Sequence, residues 1–171
     1  MENQLKIDVI VANITHLNVD CIVNAANPSL LGGGGVDGAI HFAAGRQLYE
    51  ECKTLGGCEI GQSKITDAYK LPCKKIIHTV GPIWKDGSHG ECTLLASCYK
   101  SSLKIASEYG IETIAFPNIS TGVYRFPEEK AAKIAIDTIR DCITNNIYEG
   151  NVIICCFTDN DAEIYNKLLE G

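Results

Sequence analysis

The 171-residue chain is predicted to fold as a three-layer α/β sandwich around a largely parallel central sheet. Three observations carry this expectation. Short β-branched runs alternate with helical patterns along most of the chain. Several of those runs are apolar at every position, as strands covered on both faces are. No repeat, low-complexity tract or Pro/Ser linker interrupts the pattern, so one domain over residues 1–171 is expected.

The first strands are read from Ile7 to Val11 and from Asp20 to Asn24. A helix should begin near Val36 and run past His41 to Ala44, followed by an amphipathic stretch from Gln47 to Leu55. Strands from Lys64 to Ala68 and Lys75 to Val80 precede a helix from Leu94 to Tyr109, ended by Gly110. After a strand from Thr113 to Pro117 comes the clearest helix, Glu128 to about Asn145, with Ala132, Ala135, Ile136, Ile139, Cys142 and Ile143 on one stripe. Pro127 suits its first helical position, and Glu128 and Glu129 complement the macrodipole. A strand from Val152 to Phe157 and a helix from Asp161 to Leu169 close the pattern, with Asn160 and Glu163 at capping-box spacing. In such a sandwich, ligands are expected outside the carboxyl ends of the strands.

Composition excludes several classes of function. With 15 Lys plus Arg against 21 Asp plus Glu, the net charge of −6 argues against general nucleic-acid binding by counterion release. Met1 to Lys6 lacks the basic and apolar regions of a signal peptide, and no stretch approaches the length of a membrane span; a cytoplasmic protein without membrane association is expected. The nine cysteines are odd in number and form no Cys-x-x-Cys pair, so free thiols are expected, with Cys21, Cys155 and Cys156 buried in Val/Ile-rich runs. His16, His78 and His89 are scattered between a turn, a strand and a Gly-rich loop, and no metal site is expected.

The chemistry is concentrated in two loops. The segment Asn24-Ala25-Ala26-Asn27-Pro28-Ser29-Leu30-Leu31-Gly32-Gly33-Gly34-Gly35-Val36-Asp37-Gly38 carries four successive glycines before a helix. That entropic cost suggests positive φ or a ligand approaching bare backbone. Backbone amides at a helix N-terminus bind anions without Lys or Arg, which suits an acidic protein. The second loop, Ser120-Thr121-Gly122-Val123-Tyr124-Arg125-Phe126, follows a strand and enters a helix at Pro127. Two such loops suggest a diphosphate held between them.

Gly33, Gly35 and Gly38 satisfy the dinucleotide fingerprint, but Asn27-Pro28-Ser29 separates them from the strand, and no Gly-Lys-Ser/Thr closes a P-loop. An isolated Asp37 reads as a helix-terminal acid, and an isolated Asn27 as an Asx-turn before Pro28. His41, one turn after Asp37, reads first as a packing residue. Lys85 to Glu91 reads as a solvated surface loop without a function.

Val23 to His41, with its Asn-Ala-Ala-Asn-Pro and Gly-Gly-Gly-Gly-Val-Asp-Gly motifs, closely resembles the signature of macrodomains of the MacroD-like class. The likeness continues through Ile77-His78-Thr79-Val80-Gly81-Pro82 and Phe116-Pro117-Asn118-Ile119-Ser120-Thr121-Gly122-Val123-Tyr124, and covers essentially the whole chain. The resemblance implies a mixed six-stranded sheet in an α/β/α sandwich, with an ADP-ribose cleft across its top. It also implies hydrolysis of esters on the distal ribose: removal of mono-ADP-ribose from acidic side chains of modified proteins, and deacetylation of O-acetyl-ADP-ribose. No metal or cofactor is implied beyond the ligand itself.

On the same resemblance, Asn27 matches the asparagine that orients the distal ribose and Asp37 the acid beside the scissile ester. These two are the implied catalytic pair. Gly33, Gly34, Gly35 and Val36 match the first diphosphate loop; Ser120, Thr121, Gly122, Val123 and Tyr124 match the second, where the tyrosine ring also shapes the ribose end. Asn24 in the signature, and Asn13, Ile14 and Phe157 toward the adenosine, complete the implied ligand-binding set.

A neutral carboxamide at Asn27 suits ribose hydroxyls, while the opposed effects of ligand phosphates and a helix N-terminus leave the direction of the Asp37 pKa open. Two departures stand out. The family's Gly-Asp-Ile-Thr is Ala12-Asn13-Ile14-Thr15 here, so the Asn13 carbonyl oxygen is expected to take the adenine amino group without charge assistance. Arg125 stands where glycine is common. The alternatives are a non-catalytic ADP-ribose reader and a module binding adenine nucleotides or RNA ends; a dinucleotide oxidoreductase lacks the fingerprint's context.

Overall fold

A computed structural model of the chain describes residues 6–170. Met1 to Leu5, where the lack of signal character is read, and Gly171 lie outside the described residues. Along the chain come β1 (Ile7–Val11), a 3-10 turn (Ile14–His16), β2 (Cys21–Ala26), α1 (Gly35–Ala44), α2 (Arg46–Thr54), β3 (Ser63–Asp67), β4 (Lys75–Val80), α3 (Glu91–Glu108), β5 (Thr113–Phe116), α4 (Glu128–Thr144), β6 (Asn151–Cys156) and α5 (Asp159–Glu170). Among the described residues six strands form one sheet in the order β1-β6-β5-β2-β4-β3. All neighbours pair in parallel except β3 with β4, which makes the sheet mixed.

Helices cover both faces. Ile40 and Ala44 of α1 and Leu48 and Cys52 of α2 pack on Ile22, Ala26, Ile76 and Val80. On the opposite face, α3, α4 and α5 bring Leu95, Leu103, Ala135, Ile139 and Tyr165 against Val23, Ile77, Ile114, Phe116 and Ile154. Neighbouring residues of β2 and β4 therefore serve opposite cores, as the period-2 geometry of a strand requires. All nine cysteines are free, and eight of them are buried.

Several boundaries differ from those read in the sequence. β2 runs two residues further, to Ala26, so Asn24 lies inside a central strand and is wholly buried. β6 stops at Cys156, leaving Phe157 beyond the sheet. Pro127 occupies the cap position, with ψ 128°, and the α4 helix starts at Glu128; the Pro127 carbonyl accepts from the Ala131 amide. The capping-box reading of Asn160 and Glu163 is replaced: α5 begins at Asp159, and the Thr158 hydroxyl accepts from the Asp161 amide at 3.2 Å. The hydroxyl two residues upstream reaches the first-turn amide and so takes the capping role from Asn160.

Candidate active site

β2 and β5 are adjacent and parallel, yet the chain leaving β2 packs as α1 on one face while the chain leaving β5 packs as α4 on the other. Diverging connections open a crevice at the carboxyl ends of the two strands, the switch point where open α/β sheets bind ligands. The two glycine-bearing loops are the walls of that crevice.

The first wall is organised by Asn27. Its Oδ1 accepts from the Ser29 hydroxyl at 2.7 Å and the Leu30 amide at 3.2 Å, and its Nδ2 donates to the Gly32 carbonyl at 3.0 Å. Leu30, at φ 64°, turns the chain while its side chain is wholly buried. Gly33, Gly34 and Gly35 are exposed, with Val36 half-buried behind them at the start of α1. A Cβ on Gly38 would lie 2.5 Å from the Gly33 carbonyl oxygen, so glycine is needed there for the helix to pass beneath the loop.

Asp37, in the first turn of α1, is buried beneath this wall. Its Oδ1 accepts from Asn24 Nδ2 at 2.9 Å and lies 3.5 Å from His41 Nε2. Its Oδ2 faces Gly33: a Cβ built there would sit 3.2 Å from Asp37 Oδ2 and 3.3 Å from Asn27 Nδ2. Carboxylate and carboxamide thus converge on one small space that stays open because residue 33 is glycine. Burial pushes the Asp37 carboxyl above its ordinary value, against the opposing effects of the Asn24 N–H and of His41.

The second wall runs from Pro117 to Pro127. Ser120 and Arg125 both take left-handed backbone, φ 67° and 61°, and the Phe126 amide donates to the Ser120 carbonyl at 2.9 Å. Ser120 is buried and its hydroxyl has no hydrogen-bond partner; Thr121 and Tyr124 are half-buried, and Gly122 and Val123 are exposed. The Trp84 amide donates to the Tyr124 carbonyl at 2.8 Å, and its indole packs against Phe126 in a tilted arrangement, 4.8 Å between centroids.

Beyond the second wall, β1 and β6 pair in parallel, so the residues following them emerge side by side. Here lie Asn13, buried Ile14 and Phe157, the last 87% exposed. The Macro domain family matches residues 23–135 of the chain. The chain belongs to that family.

This macrodomain is 57% identical over 169 residues to Macro domain-containing protein CT2219 of Chlorobaculum tepidum, across 99% of this chain and 98% of that protein. It is 51% identical to O-acetyl-ADP-ribose deacetylase 1 of Pantoea vagans, across 96% of this chain and 98% of that protein. To the ADP-ribose glycohydrolase MACROD2 of Homo sapiens it is 54% identical, the match covering 95% of this chain and 39% of the human protein. Among solved structures, the Oceanobacillus iheyensis macrodomain with ADP has a TM-score of 0.93 at 41% identity, covering 98% of this chain and 92% of that one.

Of the residues singled out in the sequence, Asn24, Asn27, Gly33 and Asp37 come together in the macrodomain's first wall. Asn13, Ile14 and Phe157 lie apart from them, beyond the second. One expectation is corrected. The Asn13 carbonyl oxygen caps the 3-10 turn, accepting from the Thr15 amide at 3.0 Å and the Thr15 hydroxyl at 2.6 Å. Both lone pairs are engaged, so the amide nitrogen is the group left to face a ligand.

Three features were missed. His41 lies beside Asp37, as its i+4 spacing allowed. His78, set aside as a scattered histidine, stands directly behind Asn24. Lys85 to Gly90 are exposed, as the solvated-loop reading has it, but Glu91 at the loop's end is buried and accepts from the amides of Lys85, Asp86, Gly87 and His89. Burial pushes the Glu91 carboxyl up, but those donors prevail and hold it down at about 2. Asp86, His89 and Glu91 bring three possible metal ligands together, yet the Glu91 oxygens are already occupied by backbone N–H groups. Among the described residues no helix is long and apolar enough to cross a membrane.

Proposed function

We propose that this macrodomain is an ADP-ribosyl-ester hydrolase of the MacroD-like class. It takes ADP-ribose along the crevice and cleaves esters on the distal ribose, with O-acetyl-ADP-ribose and proteins mono-ADP-ribosylated on Asp or Glu as substrates. The names of the Pantoea and human relatives support this reading. Residues 1–171 act as one domain in the cytoplasm, with water as co-substrate and no metal or organic cofactor assigned.

The diphosphate lies between the amides of Gly33 to Val36 and those of Ser120 to Tyr124, a grip that needs no cation and suits a net charge of −6. The exposed Phe157 ring offers a stacking face for adenine, with the Asn13 amide beside it. At the other end, Asn27 orients the distal ribose and Asp37 Oδ2 takes a proton from water. The water oxygen bonds to the ester carbonyl carbon, the acyl–oxygen bond to ribose breaks, and the ribose oxygen leaves as a hydroxyl with the proton. A carboxylate whose proton affinity burial has raised is a stronger base for that step.

The observation that carries the reading is the buried Asp37 carboxylate, with one oxygen tied to Asn24 and the other beside Gly33. Asp37→Ala is expected to abolish release of label from a carboxyl-linked ADP-ribosylated protein while calorimetry still records ADP-ribose binding. Undiminished turnover would overturn the role of Asp37. Wild-type protein that retains the label and binds ADP-ribose would instead be a reader.

A further inference from the structure

Behind Asp37 runs a row of polar side chains that ligand binding does not explain. Asn24 on β2, His78 on β4 and Thr66 on β3 lie on three adjacent strands, with Asn24 and His78 in direct register. All three are buried, Asn24 and His78 completely. His78 Nδ1 is 3.0 Å from Asn24 Nδ2, His78 Nε2 is 2.9 Å from Thr66 Oγ1, and the Thr66 hydroxyl donates to the Asp67 carbonyl at 3.0 Å.

These contacts assign every proton in the row. A carboxamide nitrogen offers only hydrogens, and one of the two on Asn24 goes to Asp37 Oδ1. The other points at His78 Nδ1, which must therefore present its lone pair. With Nδ1 bare, the proton of the neutral imidazole sits on Nε2, 2.9 Å from Thr66 Oγ1, which accepts it and turns its own hydroxyl proton to the Asp67 carbonyl at 3.0 Å. Reversing the Asn24 amide would turn its carbonyl oxygen toward the Asp37 carboxylate, which has no proton to offer it. In the orientation observed, that oxygen is buried without a partner, which is a cost accepted for holding both N–H groups in place.

We infer that His78 is a positioning residue for ester hydrolysis: held as the Nε2–H tautomer by Thr66, it locks the Asn24 carboxamide so that Asp37 Oδ1 stays engaged and Oδ2 stays turned toward the water. The inference rests on the hydrolase reading above. The groups facing the row are Asp37 and His41 from α1, Cys52 from α2 with its Sγ 4.0 Å from His78 Nε2, and Lys64, the β3 neighbour of His78, whose ammonium donates to the Leu55 carbonyl. Burial, with the charge of His41 adding to it, pushes His78 down to about 3, so it stays neutral at working pH.

The test compares His78→Asn, whose carboxamide oxygen can still accept from Asn24, with His78→Leu, which cannot. Losing a hydrogen bond that orients a charged group should cost roughly 10- to 100-fold in kcat for H78L. ADP-ribose affinity should hold, the acid limb of the kcat profile should move up in pH, and H78N should retain most of the turnover. In an Asn24→Ala background the H78L effect should vanish, because His78 acts through that amide.

Equal kcat for wild type and H78L, or an H78L effect that persists without Asn24, would overturn the positioning role. Nitrogen NMR of wild-type His78 tests the tautomer independently of activity and of how any variant folds. A bare Nδ1 from about pH 5 to 8 is expected, and a protonated one sinks the inference. Wild type that binds ADP-ribose but cleaves no ester defeats the hydrolase reading and, with it, the catalytic role of His78.

Discussion

The two walls of the crevice are braced differently. Asn27, Ser29, Leu30 and Gly32 fix the first wall through contacts among themselves, with Gly38 close beneath. The second wall holds two non-glycine residues in left-handed backbone and is tied to Trp84, whose loop is clasped by Glu91. A Cβ on Gly81 would come within 2.2 Å of the Ser120 hydroxyl oxygen, so that outer segment also sets how closely the second wall can seat. One wall is braced mainly from within, with an outside tie from the Cys58 amide to the Pro28 carbonyl at 2.9 Å; the other is a propped arch. Damage to the first should therefore be local and severe, whereas the second should yield to changes some 35 positions away in the chain.

The sharpest break compares two residues with nearly the same backbone. Leu30 and Arg125 sit at φ 64° and 61°, a conformation that favours glycine by about 1 kcal/mol. Leu30 is wholly buried, so Leu30→Gly should lose about 2–4 kcal/mol after that relief is counted, and ADP-ribose binding should fall with it. Denaturant unfolding and calorimetry measure both; a stability gain would mean that the first wall is not anchored by this side chain.

Acid separates the walls by pH window. His78, behind the first wall, is pushed from its ordinary 6.5 to about 3. Below pH 6.5 the unfolded chain therefore takes up a proton that the native chain refuses, and stability falls by about 1.4 kcal/mol per pH unit. Glu91, under the second wall, is held from 4.5 down to about 2, so its contribution is complete above pH 4.5 and lost as pH falls toward 2. Asp37, shifted upward, works in the opposite sense and adds stability as it protonates. Unfolding free energies measured from neutral pH downward should show the upper slope missing in His78→Asn and retained in Glu91→Gln. Loss of the same window in both variants would mean that the walls are not independent.

The smallest effect is at Arg125. Its side chain is exposed, so Arg125→Gly should stabilise the chain by no more than about 1 kcal/mol, read as a modest rise in Tm with ADP-ribose affinity unchanged. A clear loss of affinity would show that the guanidinium, and not only the backbone, serves the second wall.

This contrast also explains what was legible in the sequence. Layer order followed from alternating apolar periods, and the first wall from glycines, Asn27 and Asp37 that are close in sequence. The antiparallel sense of β3 had no periodic signature, because a two-residue repeat is the same in either direction. The row behind Asp37 was missed because its members are joined only by strand pairing: Asn24 and His78 are 54 positions apart. Their one local signal was a polar residue at an inward position of an otherwise apolar strand, as in Cys-Ile-Val-Asn-Ala-Ala and Ile-Ile-His-Thr-Val. Likewise Glu91 read as one more acid of a solvated loop, because the amides it collects come from a backbone turn that no side-chain pattern marks.

The sulfur content has a chemical consequence of its own. Thiolate is the form that oxidants and electrophiles attack, and burial pushes Cys52, Cys73 and Cys98 up to about 11. With eight of its nine thiols sealed inside the two cores, a cysteine-rich enzyme is chemically quiet, and peroxide meets chiefly the half-buried Cys92 at the start of α3.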